Sequence, residues 1–129
     1  MFDRLDFVYL PSRDVAADVL HFTTGLGGKL IFAIERFGTR VAMVALTADG
    51  PRLLLAEHLE GDRPILVFRV DSLDAAIAEL EERGVELGSR FEMPYGPGIG
   101  LPSPGPQRLA LYERTRQERG DSLAGRRDF

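Results

Sequence analysis

The stretch from Pro64 to Leu87 constrains this chain most. Ile65 to Val70 is a short apolar run rich in β-branched and aromatic residues, the pattern of a buried strand. Asp71 or Ser72 follows at an N-cap position, where a side-chain oxygen can accept an unpaired N–H of a first helical turn. Leu73, Ile77 and Leu80 recur at helical spacing, with Asp74, Glu81 and Glu82 largely off that stripe. Gly84 stops the helix, because a residue without Cβ takes the left-handed conformation at little strain. Val85 and Leu87 open another strand. The unit is strand, helix, strand.

The first half of the chain repeats it. Asp14 and Asp71 are 57 positions apart, and so are Leu20 and Ile77, Gly27 and Gly84, and Leu30 and Leu87. Cap, helix position, helix-stop glycine and strand residue agree at one offset, which predicts a duplicated βαβββ module.

The remaining elements fit two such modules. Leu5–Leu10 reads as a first strand, followed by a turn and cap at Pro11–Asp14. Val15, Val19 and Phe22 form one helix stripe, ended by Gly25, Gly27 and Gly28. Lys29–Ile34, Thr39–Leu46 and Arg52–Glu57 read as strands, with a turn at Ala48–Pro51 and a polar linker at Leu59–Arg63. In the second half, Ser89–Met93 and Arg108–Glu113 read as strands. Pro94–Pro106 is so dense in Gly and Pro that a loop is expected, with room for one broken strand and with Gly96–Gly100 as a mobile lid. The expected organisation is one α+β domain over residues 1–113, in modules of about 5–58 and 64–113. Residues 114–129 form a charged tail that frays or docks on a partner subunit.

Composition excludes several chemistries. A chain of 129 residues can bury a real core. It has no cysteine, which removes disulfides and thiol chemistry. A net charge of −4 argues against nucleic acid, whose phosphates need a basic surface. No run of about eighteen apolar residues is present to span a membrane. The N-terminus carries no signal-peptide pattern, so a cytoplasmic location is expected.

Phe7-Val-Tyr-Leu-Pro-Ser-Arg-Asp14, Gly25-Leu-Gly-Gly-Lys-Leu30, Phe68-Arg-Val-Asp-Ser-Leu-Asp-Ala-Ala76 and Gln107-Arg-Leu-Ala-Leu-Tyr-Glu113 together carry a resemblance. In order and spacing they resemble the vicinal oxygen chelate superfamily, which holds glyoxalase I, bleomycin-resistance proteins, fosfomycin-modifying enzymes and extradiol dioxygenases. The resemblance runs from Leu5 to Glu113. It implies paired βαβββ modules around a cleft, usually completed in a homodimer. It also implies a divalent metal, held by His, Gln or Glu, acting as a Lewis acid.

Carried over residue by residue, the family's ligand positions fall on Phe7, on Leu55 or Glu57, on Ile65 and on Ala110. Phe, Ile and Ala cannot coordinate a metal. A shifted set of Asp6, Glu57 or His58, and Glu113 could, but strand alternation should put Asp6 and Glu113 on the helix-packed side or at its rim. Phe7, Leu55, Ile65 and Ala110 are then expected to line an apolar cleft, with Tyr9, Glu57, Arg69 and Tyr112 as polar handles. Alternatively these side chains only fill space, with Arg69 and Glu57 as an ion pair.

The preferred reading is a metal-free binding protein of the bleomycin-resistance type, with no cofactor and a small organic ligand, aromatic or cationic, held in a dimer cleft as its partner. The alternative is a metal-dependent lyase or dioxygenase using the shifted set and one divalent metal. A regulatory or interaction domain without ligand is a third, weaker reading. His58 beside Glu57 is a candidate base. His21 reads as a surface or interface residue, and Ser103-Pro-Gly-Pro106 departs from the family's usual turn.

Overall fold

A computed structural model describes residues 1–59 and 61–129, with the backbone alone at residues 118–120. Glu60, inside the expected linker, lies outside the described residues. The fold is α+β. Its eight strands are β1 (Phe2–Pro11), β2 (Lys29–Arg36), β3 (Thr39–Ala45), β4 (Arg52–Ala56), β5 (Ile65–Val70), β6 (Arg90–Met93), β7 (Gly96–Leu101) and β8 (Leu109–Glu113). The helices are α1 (Val15–Leu20), α2 (Leu73–Glu82) and α3 (Gln117–Ser122), and a π-helical turn at His21–Gly25 extends α1.

The chain folds as two compact units. One holds Phe7–Pro64 with Leu123–Phe129, the other Met1–Asp6 with Ile65–Ser122. Both have the βαβββ order the repeat predicts. In the first, strands run β1–β4–β3–β2, with β1 and β4 parallel and the other pairs antiparallel. In the second the order is β5–β8–β7–β6, with β5 and β8 parallel.

Each unit has its own core under its helix. Val15 and Val19 of α1 pack with Ala33, Ala42, Val44 and Leu55. Leu73, Ala76, Ile77 and Leu80 of α2 pack with Val70, Ile99 and Leu111. Burial of these thirteen side chains supplies the main driving force, at about 1.5–3 kcal/mol each for the larger ones.

The repeat is real, but its offset is not uniform. Asp14 caps α1 by accepting Ala17 N–H at 3.0 Å. In α2 the cap is Ser72, which accepts Ala75 N–H at 3.2 Å, and not Asp71. The caps are thus 58 positions apart, while Gly27 and Gly84, both left-handed at φ 77° and 79°, stay 57 apart. The difference of one residue sits in the π-helical turn, where Leu26 N–H reaches back to His21 C=O at 2.9 Å. A π turn takes up one more residue than an α turn. For the same reason Leu20 is exposed, and the buried residue that corresponds to Ile77 in the repeat is Val19.

Two expectations about the second half are corrected. Gly96–Leu101 is an internal strand, paired with β6 on one side and β8 on the other, and not a lid. Tertiary packing demands its glycine. A Cβ at Gly98 would collide with the Phe91 ring and lie 2.7 Å from the Leu111 carbonyl. Residues 85–89 do not form a strand, and β6 begins at Arg90. The C-terminal segment is ordered as well. Arg127 bridges Ala33 in parallel, Phe129 packs on the α1 core, and Leu123 is buried.

Candidate functional site

Register defines the sheet face that α2 leaves uncovered. Phe68, Val70, Leu111 and Ile99 meet the α2 core, so their neighbours in β5, β8 and β7 point the other way. Arg69 pairs with Tyr112, Tyr112 with Gly98, and Gly98 with Phe91, one residue from each of four strands. Val67, Ala110 and Gly100 form the adjoining row, with Val67 and Ala110 buried.

Asp6 sits with this face. Among the described residues it is the one buried charged side chain. Its Oδ2 accepts Arg69 Nε–H at 2.7 Å and the Tyr112 hydroxyl, and its Oδ1 meets Arg4 Nε at 3.0 Å. Arg114 Nη2 stands 3.6 Å from Oδ2, and Arg114 Nε donates to the Tyr112 oxygen at 3.2 Å. Arg114 also donates to Gln117 Oε1 at 2.8 Å and lies over the Tyr95 ring at 4.8 Å. Three guanidinium groups therefore converge on one carboxylate. A buried carboxylate is tolerable only when charged donors fill its lone pairs, and here they do. Burial, and then the hydrogen bond to Asp6, pushes the Tyr112 phenol up to about 12, and Arg69's own hydrogen bond to Asp6 raises its guanidinium.

The first unit has its own helix-free face. Tyr9 pairs with Leu54, Leu54 with Met43, and Met43 with Phe32. Leu54, Met43 and Phe32 are buried, and burial raises the Tyr9 phenol well above its usual range. Phe7 is buried and pairs with Arg52, whose Nη1 lies 3.8 Å from Met43 Sδ.

No family model matches this chain, and no curated protein matches it. Solved structures do. A hypothetical protein from Bacillus halodurans C-125 is 16% identical, over 88% of this chain and 96% of its own, with a TM-score of 0.75. A Streptomyces coelicolor methylmalonyl-CoA epimerase variant in complex with 2-nitronate-propionyl-CoA is 18% identical, over 89% and 99%, at 0.70. A glyoxalase I variant from Zea mays is 18% identical, over 88% and 44%, at 0.65. The fold is the vicinal oxygen chelate fold.

Within this vicinal oxygen chelate fold the expected residues separate. Arg69 and Tyr112 come together, and Ala110 lies in the next row of the same face. Ile65 is half-buried at the start of β5. Phe7 and Tyr9 lie on the helix-free face of the other unit. Leu55 does not: it is 1% exposed in the α1 core, because it pairs with Leu10 and shares that residue's face. Leu54 takes the place expected of it. Glu57 follows the end of β4 in an exposed turn with His58, and Arg69 pairs with Asp6 instead of Glu57.

The shifted metal set is not assembled. Among the described residues no group of three His, Cys, Asp or Glu is placed to hold a metal ion. Glu113 Oε1 accepts Leu73 N–H at 2.8 Å, on the α2 side as alternation expects. Asp6 departs from that expectation, since it meets Arg69 and Tyr112 on the opposite face. The guanidinium groups around its carboxylate repel a divalent cation. Arg4 and Arg114 were the residues missed. Their signal was spacing: each stands two positions from a neighbour on this face, Asp6 or Tyr112.

Proposed function

We propose that this protein is a metal-free small-molecule-binding protein of the glyoxalase and bleomycin-resistance type. It acts in the cytoplasm as a homodimer. The carrying observation is the chemistry at the ligand positions implied by the family resemblance. Phe7, Ile65 and Ala110 stand there, and the nearest acid, Asp6, is tied to Arg69, Arg4 and Tyr112. Apolar side chains beside a few polar groups suit an organic ligand, since apolar burial gives affinity and sparse polar contacts give orientation.

Metal analysis of protein offered Zn²⁺, Ni²⁺, Mn²⁺ and Fe²⁺, followed by a small-molecule screen, tests this. The expected result is no metal near one per subunit and at least one organic ligand bound in a saturable manner. One tightly held metal per subunit would replace this reading with that of a lyase or dioxygenase.

A further inference from the structure

Arg69 and Arg4 both meet Asp6 through Nε, Arg69 in a hydrogen bond and Arg4 in an ion pair. Each turns its Nε edge to the carboxylate, at 2.7 Å to Oδ2 and 3.0 Å to Oδ1. The Arg69 guanidinium also bonds the Tyr112 side chain, whereas the contact of Arg4 with Asp6 runs through Nε. Arg114 differs, because Nε goes to Tyr112, Nη1 to Gln117 and Nη2 faces Asp6. It backs the cluster without reaching beyond it. The side chains of Arg69 and Arg4 remain 25% and 54% exposed, so solvent reaches them.

Charge makes this arrangement more than a neutral lock. Asp6 supplies one negative charge against three guanidinium groups, an excess of two positive charges beside a buried acid. The ordinary way to satisfy a carboxylate in a core is one well-placed arginine. A surplus held in place by a buried acid keeps donors fixed and aimed where a second anion can meet them. A forked guanidinium end matches two oxygens of a carboxylate or phosphate in a bidentate pair. The adjoining Val67, Ala110 and Gly100 are small, and a Cβ at Gly100 would meet only ordinary van der Waals contact at 3.8 Å.

We infer that Arg69 and Arg4 form an anion subsite that takes a carboxylate or phosphate group of the bound ligand. Asp6 is its positioning residue: it sets the two guanidinium groups and tempers their charge. The inference rests on the binding-protein reading and narrows its ligand to an organic anion.

Calorimetric titration of the full chain with benzoate, and separately with inorganic phosphate, tests it. At least one anion should bind in a saturable manner, and benzoate or phosphate responding alone assigns the group. Arg69→Gln and Arg4→Gln should each weaken binding roughly tenfold. Asp6→Asn should tighten it, because a competing negative charge is gone while the side chain keeps its shape. A purely structural cluster would not show these opposite signs. Arg4 is half-exposed, so Arg4→Gln keeps the test valid if Arg69→Gln fails to fold. Absence of saturable binding by both anions, or binding unchanged in Arg4→Gln, overturns the subsite. A neutral compound bound where neither anion binds would overturn the subsite and leave the binding-protein reading standing.

Discussion

Glu113 Oε1 accepts the backbone N–H of Leu73 at 2.8 Å, so the last residue of β8 caps the first turn of α2 from forty positions away. Ser72 caps the same turn through Ala75 N–H, and the two acceptors together satisfy donors that the helix cannot. The contact gives Glu113 a structural task on the α2 side of the sheet.

Glu113→Ala should therefore destabilise the fold by about 1 kcal/mol, the usual loss for a helix cap. Urea denaturation measures that loss. Metal retention should be the same in wild type and variant, and a drop in bound metal would reinstate Glu113 as a ligand.

Asp6→Ala should be the harsher change. It leaves three guanidinium groups facing one another around a cavity, and removing one partner of a buried ion pair costs about 3–5 kcal/mol. Asp6→Asn retains volume and an acceptor oxygen and should lose less. Thermal unfolding of both variants gives the order, and equal losses would show that Asp6 matters for volume alone.

Tyr112 predicts an alkaline limit. Its phenol is pushed up to about 12, against 10 in the unfolded chain, so the fold favours the protonated form. That contribution is whole below pH 10 and fades as pH rises from 10 towards 12. Burial shifts Tyr9 in the same direction. Tyr112→Phe should flatten the fall in stability between pH 10 and 12. A profile as steep as that of wild type would assign the fall to other groups.

The π-helical turn predicts an asymmetry between deletions. Removing Thr24, exposed in that turn, shortens the cap-to-glycine segment to the length found in α2 and should cost no more than about 1 kcal/mol. Removing Ala78 from α2 turns Leu80 off its buried stripe and should unfold the second unit. Circular dichroism of the two variants decides between these outcomes.

The C-terminal segment lies along β2. Ala33 N–H donates to Arg126 C=O at 2.9 Å, and Asp128 N–H to Ala33 C=O at 2.7 Å. Asp128 also accepts Glu35 N–H, and Arg126 beside it holds its carboxyl below the usual range. Truncation after Ser122 removes Leu123 and Phe129, with an expected loss of about 3 kcal/mol, and bares a strand edge that can pair with another chain. Sedimentation should show increased self-association. An unchanged distribution would mean that the edge is harmless without its cover.

What the sequence determined by itself was local. Ile65–Val70 and the Leu73, Ile77, Leu80 stripe were legible because alternation and helical periodicity are written in neighbouring residues, and Gly27 and Gly84 because a left-handed turn selects against a Cβ. The resemblance in ordered motifs reached the fold, and alternation on β5 and β8 brought Arg69 and Tyr112 to one face. Tertiary structure decided the rest. Composition favours a loop with at most a broken strand at Gly96–Leu101, and only the Phe91 ring and β8 turn Gly96 and Gly98 into a requirement. The face of Leu55 depended on its pairing with Leu10, a register that no local pattern carries. Phe2 and Asp6 share parity on β1, yet Phe2 stacks on Phe68 at 5.3 Å while Asp6 meets Arg69, on opposite faces of β5. Alternation assumes a strand that presents constant faces to its neighbours. Where long side chains reach across for a buried charge, three-dimensional packing and electrostatics choose the partner.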